Sequence, residues 1–323
     1  MAELDLVATV RVTPTAPFHF DGTLFKPDHF PSPDTTWEPG TRWQTMLWKG
    51  DALGLVIMDE GEPDHPALRV DIYATRPLDD ESVDSLVAEL RYRLNLDFDP
   101  DDFYLRFSRD PVLGPVLERW RGLRPAHTGS LYEYLMIGIV LQNTTVRRSI
   151  QMLRALLEAH GELLQFDGQR LWCFWPPGGL TSVSDDELRA LKVGYRAKSI
   201  KRIDDAFAAE QVNEFQLRHC DGNEQRKALL ALYGVGPATV VYVLTDVYHQ
   251  WNALDHISPW EQKIYSRILF DTDPDDPVPV EQLLARIAQW VPYRALAVHY
   301  LWEDLWWQHT NTPLPWLTTL IRS

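Results

Sequence analysis

Residues Lys227 to Asp255 read KALLALYGVGPATVVYVLTDVYHQWNALD, and this stretch decides the interpretation of the fold. Two runs with helical spacing of apolar residues flank Gly234-Val235-Gly236, and Pro237 falls where a proline is well suited to begin the second helix. Glycines allow a tight turn and a close backbone approach, and the free N–H groups of the second helix can bind an anion. The stretch therefore predicts a helical hairpin. Its turn either holds a DNA phosphate, directly or through a bridging monovalent cation, or only connects two core helices.

The composition limits the classes of protein that the chain can represent. With 323 residues, 45% of them hydrophobic, two or three packed units are expected. A net charge of −15 argues against unspecific coating of nucleic acid, so a DNA-binding role needs a local basic face. Two cysteines are too few for a disulfide framework or a four-thiolate cluster. The N-terminus lacks a leader pattern and no apolar run is long enough for a membrane span, which predicts a cytoplasmic protein with no membrane partner.

The first part of the chain alternates short apolar runs with turn signals. The runs Asp5 to Thr13, Leu53 to Met58 and Leu68 to Ala74 are separated by proline- and glycine-containing stretches, a pattern that predicts an antiparallel sheet. The apolar residues of Ser82 to Leu94 share one helical face, so we expect a helix to cover this sheet. The N-terminal unit is predicted to be α+β.

After a proline- and glycine-bearing link at Arg121 to Gly129, the pattern becomes helical almost to the end of the chain. Ser130 and Glu133 form a capping box that opens a helix through Leu141. Further helices are predicted at Asp185 to Ala208, Asn223 to Leu232, Pro237 to Tyr248, Pro259 to Leu269, Val280 to Trp290 and Pro292 to Trp307.

The hairpin segment resembles the helix-hairpin-helix DNA glycosylases (the HhH-GPD superfamily), whose pattern is L-P-G-V/I-G, a helix, and then an aspartate. Here Leu232-Tyr-Gly-Val-Gly236 is followed by Asp255, with Tyr233 in place of the proline. Other stretches match in the same order. Val140 to Thr145 is similar to the loop that wedges into the duplex, and Leu188 to Lys198 is similar to a segment of the 8-oxoguanine glycosylase branch. Trp290 to Trp302 is similar to a segment of the AlkA-like branch. In the N-terminal unit, the matches are Pro17 to Asp21 and Leu96 to Pro100.

The resemblance covers nearly the whole chain and implies a domain organisation. Residues 1–125 would form an α+β domain, an antiparallel sheet with covering helices in a TBP-like arrangement. Residues 126–323 would form an all-α helix-hairpin-helix domain in two subdomains, with the cleft for DNA and base between them. The implied partner is double-stranded DNA with a damaged base, bound by a monomer associated with the nucleoid.

The same resemblance supplies candidate catalytic and DNA-binding residues. An enzyme that acts on a stacked base must flip it out, and Asn143 beside Gln142 is the candidate to fill the gap, although either amide could instead cap the preceding helix. Cleavage of an N-glycosidic bond builds positive charge on the sugar. Asp255 would stabilise this charge and orient the attacking water. The alternative is that Asp255 is a structural residue in a turn. The expected DNA-binding residues are Gly234, Val235, Gly236, Thr239, Gln142, Asn143, Arg196 and Lys198.

Two departures from the family pattern bear on the chemistry. Ser258 and Glu261 form a capping box, so the next helix is predicted to start after Ser258 and to leave Asp255 in the loop before it. The lyase-competent relatives carry a Schiff-base lysine where this chain has Ala238, which implies a monofunctional enzyme without AP-lyase activity. The cluster-bearing branch has four C-terminal cysteines that this sequence lacks, so no iron–sulfur cluster is expected. Apart from the alternative of a monovalent cation at the hairpin, no metal or cofactor is predicted.

The substrate is the part that the sequence constrains least. By the family register, the base pocket would be lined by Ala238, Tyr242, Val298, Trp302 and Glu303. Aromatic stacking suits cationic alkylated purines, although Tyr242 and Trp302 could equally be core residues and Glu303 a solvated one. A glycosylase for a deaminated or oxidised base, or a helix-hairpin-helix DNA-binding protein without catalysis, are the alternative functions.

Overall fold

The computed structural model describes residues 1–25 and 31–322. The strands are β1 Ala2–Glu3, β2 Asp5–Val12, β3 Thr35–Glu38, β4 Thr41–Trp48, β5 Asp51–Asp59, β6 Leu68–Ala74, β7 Glu162–Phe166 and β8 Gln169–Cys173. The helices are α1 Phe20–Leu24, α2 Asp80–Arg93, α3 Asp101–Phe107, α4 Gly114–Arg119, α5 Leu131–Leu141, α6 Val146–His160, α7 Asp185–Ala190, α8 Arg196–Ala208, α9 Glu214–Leu217, α10 Gly222–Leu230, α11 Pro237–Asp246, α12 Pro259–Phe270, α13 Val280–Ile287, α14 Arg294–Asn311 and α15 Pro315–Arg322.

The N-terminal region is built on a five-stranded antiparallel sheet in the order β2-β6-β5-β4-β3. The predicted strands and the covering helix are present, since Leu86 and Leu90 of α2 pack on the buried face of the sheet. The mixed α+β class is therefore confirmed. Strands β3 and β4 were not predicted, because Arg42 and Gln44 of β4 are buried and hydrogen-bonded to each other at 2.9 Å, which hides the alternation of apolar and polar residues.

A second, three-stranded sheet corrects the expectation of an all-helical region after the link. Strands β7 and β8 form an antiparallel hairpin, and β1 pairs with β7 in parallel. The hairpin turns at Asp167 and Gly168, both at positive φ, and the indole N–H of Trp43 donates to Asp167 at 2.6 Å. An Asp-Gly pair between apolar runs is a hairpin signal, and the sequence carries it at Asp167-Gly168, although the helical interpretation of this region left it out. This sheet ties the helical part of the chain to the N-terminal sheet.

Most helices outside the N-terminal sheet region pack around two separate hydrophobic cores. One core gathers residues of α5, α6, α8, α10 and α11, and the other gathers residues of α3, α4, α12, α13 and α14. Helix α11 belongs to both cores, because Val240 and Val243 point into the first and Val241 into the second. The face of α11 between these residues lies at the junction of the two cores.

Several predicted helices differ from the observed ones at their boundaries. The helix expected at Asp185 to Ala208 is broken into α7 and α8, because Lys192 and Gly194 adopt positive φ values between them. The helix expected at Val280 to Trp290 ends in a 3-10 turn at Ala288–Trp290, and the last long helix begins at Arg294 rather than at Pro292. Within the described ranges, no helix has the length and apolar character that crossing a membrane requires.

Candidate functional site

The turn between α10 and α11 has the geometry of a tight helical hairpin. Gly234 adopts φ +89°, and a Cβ atom at this position would lie 2.6 Å from the hydroxyl oxygen of Ser199. Gly236 has φ −105°, caps α11 without a side-chain hydrogen bond, and would meet nothing within 4 Å if it carried a Cβ. Pro237 occupies the first turn of α11 as predicted. Gly234 is thus required by the fold, whereas Gly236 leaves the N-terminus of α11 open to a ligand.

The loop between α5 and α6 is held against this turn. The side-chain amide of Gln142 donates to the carbonyl of Gly234 at 2.7 Å, and the guanidinium of Arg196 donates to the carbonyl of Gln142. Asn143 is exposed at φ +47°, and its amide donates to the Tyr195 hydroxyl at 3.5 Å. Neither amide caps its own helix. The two residues instead project beside the hairpin turn.

The basic segment before and within α8 divides into internal and exposed groups. Arg196 is buried and braces the loop, with its guanidinium 4.7 Å from the centre of the Tyr195 ring. Lys198 is exposed, and its Nζ lies 4.9 Å from the centre of the Tyr233 ring. Arg189 and Lys201 are engaged in ion pairs with Asp185, Asp186 and Asp205. We call the surface formed by Gln142, Asn143, Tyr195, Lys198, Tyr233 and Gly234–Gly236 the hairpin face.

Thr239 and Ala238 lie on α11 directly after the hairpin turn. Both are half-buried, and Thr239 places its methyl group 3.4 Å from the position that a Cβ on Gly138 would take. A Cβ at Gly138 would thus be in ordinary van der Waals contact with this methyl group. Thr239 thus faces Gly138 of α5, and its contact with DNA stays a prediction.

Asp255 lies in the loop before α12, as the Ser258 capping box predicted. Its side chain is 54% exposed and forms an ion pair with Arg226 of α10 at 3.0 Å. This pair closes the loop onto the first helix of the hairpin. The carboxylate is accessible from the surface of the protein.

A second carboxylate of the same segment is buried. Glu261 is 6% exposed and accepts hydrogen bonds from the Tyr242 hydroxyl at 2.5 Å, the Ser258 backbone N–H at 2.8 Å and the Tyr265 hydroxyl at 3.5 Å. Burial, and after it the charge of Glu261, raises the pKa of Tyr242 well above its ordinary value. Both tyrosines are thus held as neutral hydrogen-bond donors to the carboxylate.

Two tryptophan rings extend from Tyr265, one of the two tyrosines that donate to this carboxylate. The Trp302 ring lies 5.5 Å from that of Trp260 and 6.2 Å from that of Tyr265, measured between ring centres. Tyr242 remains 40% exposed although its hydroxyl points inward, and Trp260 is 37% exposed. We call Tyr242, Trp260, Tyr265 and Trp302 the aromatic cluster. Tyr242 and Trp260 are its exposed members, and Tyr242 lies on α11 at the junction of the two helical cores.

The remaining pocket candidates are core residues in this structure. Val298 is buried in the second core, and Glu303 is 3% exposed, so the alternative of a solvated Glu303 is wrong. Glu261, Trp260 and Tyr265 were not predicted as site residues. The capping box identified Glu261, but the sequence alone did not show that its other oxygen reaches Tyr242.

Comparison with known proteins shows that the chain is similar to DNA glycosylases. No family model matches the chain. A DNA-3-methyladenine glycosylase of Bacillus subtilis is 23% identical over 235 residues, which cover 72% of this chain and 76% of that protein. A 3-methyladenine DNA glycosylase from Archaeoglobus fulgidus superimposes with a TM-score of 0.71 at 16% identity, covering 91% of this chain and 98% of that one.

An 8-oxoguanine glycosylase/lyase of Clostridium acetobutylicum superimposes with a TM-score of 0.69 at 18% identity, covering 94% of this chain and 98% of that one. The chain has the fold of the helix-hairpin-helix DNA glycosylases. The family resemblance identified from the hairpin segment is therefore confirmed. Because both alkylated-base and 8-oxoguanine enzymes share this glycosylase fold, the fold alone does not select the lesion.

Proposed function

We propose that the protein is a DNA glycosylase of base excision repair that hydrolyses the N-glycosidic bond of an alkylated purine in duplex DNA. The observation that carries the proposal is that helix α11 contributes to both the hairpin face and the aromatic cluster. The open N-terminus of α11 lies in the hairpin face, and Tyr242 of the same helix belongs to the aromatic cluster. A helix that begins at a phosphate site and continues into a base site suits an enzyme that holds a strand and extrudes one nucleotide from it.

The hairpin face supplies the contacts to the phosphate backbone. The N–H groups in the first turn of α11 are free of a side-chain cap, and the exposed Lys198 contributes a positive charge beside them. This local arrangement offsets the net charge of −15 at the place where DNA would bind.

The hairpin carbonyls favour direct phosphate contact over a bridging cation. The carbonyl of Gly234 already accepts from Gln142, and that of Gly236 accepts from the Val240 N–H at 3.0 Å. A monovalent cation at the turn would have to share these oxygens with their donors. The backbone N–H groups of α11 need no such rearrangement, so we propose that they contact the phosphate themselves.

Asn143 is the residue that we propose to fill the gap left by the extruded base. It is exposed at the tip of the α5–α6 loop, and its left-handed backbone conformation is one that asparagine tolerates better than most residues. Gln142 fixes the loop to the hairpin, so the phosphate contact and the wedge would reach the duplex together.

Asp255 is the residue that we propose as the catalytic carboxylate. Its ionised group would stabilise the positive charge that develops on the deoxyribose and would orient the attacking water. The carboxylate is exposed in the free protein, so bound DNA must cover it to create the water-poor environment in which such stabilisation is strong. Arg226 keeps the carboxylate in place until the substrate arrives.

The reaction that we propose stops at the abasic site. Ala238, one turn before Tyr242 on α11, offers no amine for a covalent intermediate with the sugar. Hydrolysis by an activated water is then the available route. Its products are the free base and an intact strand with an abasic sugar.

The aromatic cluster supports an alkylated purine as the substrate. The exposed rings of Tyr242 and Trp260 can stack on a base, and a base that carries a positive charge gains an additional cation–π attraction. Val298 has no polar atoms with which to recognise the altered edge of an oxidised guanine, and it is buried in the core.

A panel of duplexes tests this proposal. Each duplex carries one lesion, either 3-methyladenine, hypoxanthine, uracil or 8-oxoguanine, and strand breaks are measured before and after alkali. We expect alkali-dependent breaks with the methylated base at the highest rate. Alkali-dependent breaks mainly at 8-oxoguanine or uracil would contradict the proposed substrate class, and breaks without alkali would contradict the hydrolytic chemistry.

A further inference from the structure

Glu261 differs in its surroundings from two other capping-box glutamates, Glu187 and Glu224, whereas Glu133 of α5 is buried as Glu261 is. Glu187 and Glu224 occupy the same third helical position in α7 and α10, and both are exposed. Glu261 caps α12 in the same way, because one of its carboxylate oxygens accepts from the Ser258 N–H. Its side chain is buried, and the other oxygen accepts from the Tyr242 hydroxyl. Capping alone requires neither burial nor a tyrosine partner.

The carboxylate of Glu261 has several hydrogen-bond donors around it and lies at the start of a helix. The side chain lies at the N-terminal end of α12, where the helix dipole stabilises anions. The hydroxyls of Tyr242 and Tyr265 and the N–H of Ser258 all donate to it. Hydrogen bonds to an ionised acceptor are stronger than those between neutral groups, and they polarise their donors.

The polarised donor that faces the surface is Tyr242. Its hydroxyl points inward to Glu261, while its ring is 40% exposed. A phenol that donates to a carboxylate becomes more electron-rich in its ring, and a more electron-rich ring attracts cations more strongly. The buried charge of Glu261 adds to the same negative potential, with little water to screen it.

We propose that Glu261, acting through the Tyr242 hydroxyl, is a specificity-determining residue that makes the aromatic cluster prefer positively charged bases over neutral ones. This inference rests on the proposed function and deepens it. Glu261 is a positioning residue in this scheme: it does not touch the base, and Tyr242 provides the surface on which the base stacks. Asp255 thus acts at the sugar, and Glu261 acts at the base through Tyr242.

The test compares a cationic with a neutral lesion in single-turnover kinetics. The substrates are duplexes that carry 7-methylguanine, which is cationic, or hypoxanthine, which is neutral. The proteins are the wild type, Glu261→Gln, Tyr242→Phe and, as a matched capping-box control, Glu187→Gln. Glu261→Gln retains the size of the side chain and Tyr242→Phe retains the carboxylate, so each removes one part of the proposed pair.

We expect Glu261→Gln to lower the ratio of the rate with 7-methylguanine to the rate with hypoxanthine by about tenfold, which is less than a full desolvated cation–π contribution because the Tyr242 ring remains. Tyr242→Phe should shift the ratio in the same direction, and Glu187→Gln should leave it unchanged. A structural role would slow both reactions equally. Equal losses with both lesions, or an unchanged ratio, would overturn the inference.

A binding measurement separates this inference from the proposed function. Calorimetric titration with free 7-methylguanosine and with guanosine reports the preference for the charged base without any catalysis. The wild type should bind 7-methylguanosine more tightly, and Glu261→Gln should lose that difference. A wild type that shows the preference but releases no base would refute the proposed function alone, whereas equal affinities for the two nucleosides would refute the inference.

Discussion

The side-chain amide of Gln142 donates a hydrogen bond to the carbonyl of Gly234, with 2.7 Å between the two atoms. This bond joins the loop that carries Asn143 to the turn that precedes α11. The proposed wedge and the proposed phosphate site therefore form one preorganised surface, which reduces the ordering that DNA binding would otherwise require.

Replacing Gln142 with alanine should loosen this surface. We expect Gln142→Ala to weaken binding of a duplex with an abasic-site analogue by about tenfold, because a lost hydrogen bond costs about 1 kcal/mol and the freed loop adds ordering entropy. Fluorescence anisotropy at fixed salt measures the affinity. Gln151→Ala, at an exposed position of α6, is the matched control and should bind like the wild type. Equal affinities for all three proteins would contradict the coupling.

The two hairpin glycines should respond differently to alanine. Gly234→Ala forces a Cβ to within 2.6 Å of Ser199 at a positive φ, so we expect a loss of about 1–3 kcal/mol in the free energy of unfolding. Gly236→Ala meets no neighbour and should fold normally, but its methyl group would obstruct phosphate approach and weaken DNA binding. Chemical denaturation and anisotropy together separate the effects. A stable Gly234→Ala protein, or a Gly236→Ala protein with wild-type affinity, would count against this assignment.

Lys198 should contribute to DNA binding through its charge. We predict that Lys198→Gln weakens binding to all duplexes similarly and reduces the slope of log affinity against log salt by about 1, as expected when one phosphate contact is lost. Lys49→Gln, in the N-terminal region, is the control and should leave the slope unchanged. If the two variants have the same slope, Lys198 does not contact the backbone.

Sequence patterns predicted the elements that rely on local chemistry. The capping boxes at Ser130 and Ser258 start helices where expected, and the glycines around Val235 form the expected hairpin. Caps and tight turns depend on residues a few positions apart, so their signals survive in the sequence alone. The same property explains why the loop position of Asp255 was predictable.

The partners of the site residues were not predictable because they depend on distant contacts. Arg196 had the appearance of a DNA-binding cation and instead braces Gln142 from a buried position. Glu261 reaches Tyr242 across the junction between α11 and α12. Burial of a charged residue leaves no local pattern, so the sequence assigned Arg196 to the surface and missed the role of Glu261.

His249 should make folding sensitive to mild acid. Its ring packs near Tyr92 and Trp251, and burial lowers its pKa to about 4 from 6.5. The unfolded chain therefore binds the proton more readily, so His249 reduces stability progressively as the pH falls from about 6.5 to 4, by at most about 3 kcal/mol. His249→Asn, which tolerates the φ of +56°, removes this titration.

Urea denaturation of both proteins between pH 4 and pH 7.5 measures the effect of His249. The free energy of unfolding of the wild type, relative to that of His249→Asn, should decline as the medium is acidified and should level off above pH 6.5. A difference that stays constant across the interval would show that the ring is not buried as a neutral group.

In the proposed reaction, Asp255 drives hydrolysis of a damaged base from DNA. Chromatography of free 3-methyladenine released from a methylated duplex, by the wild type and by Asp255→Asn, measures this role. We predict release by the wild type, with the strand left intact until alkali is added, and a loss of at least about 100-fold in Asp255→Asn, as expected when one charged stabiliser of a transition state is removed. Release at similar rates by both proteins, or none by the wild type, would contradict this role.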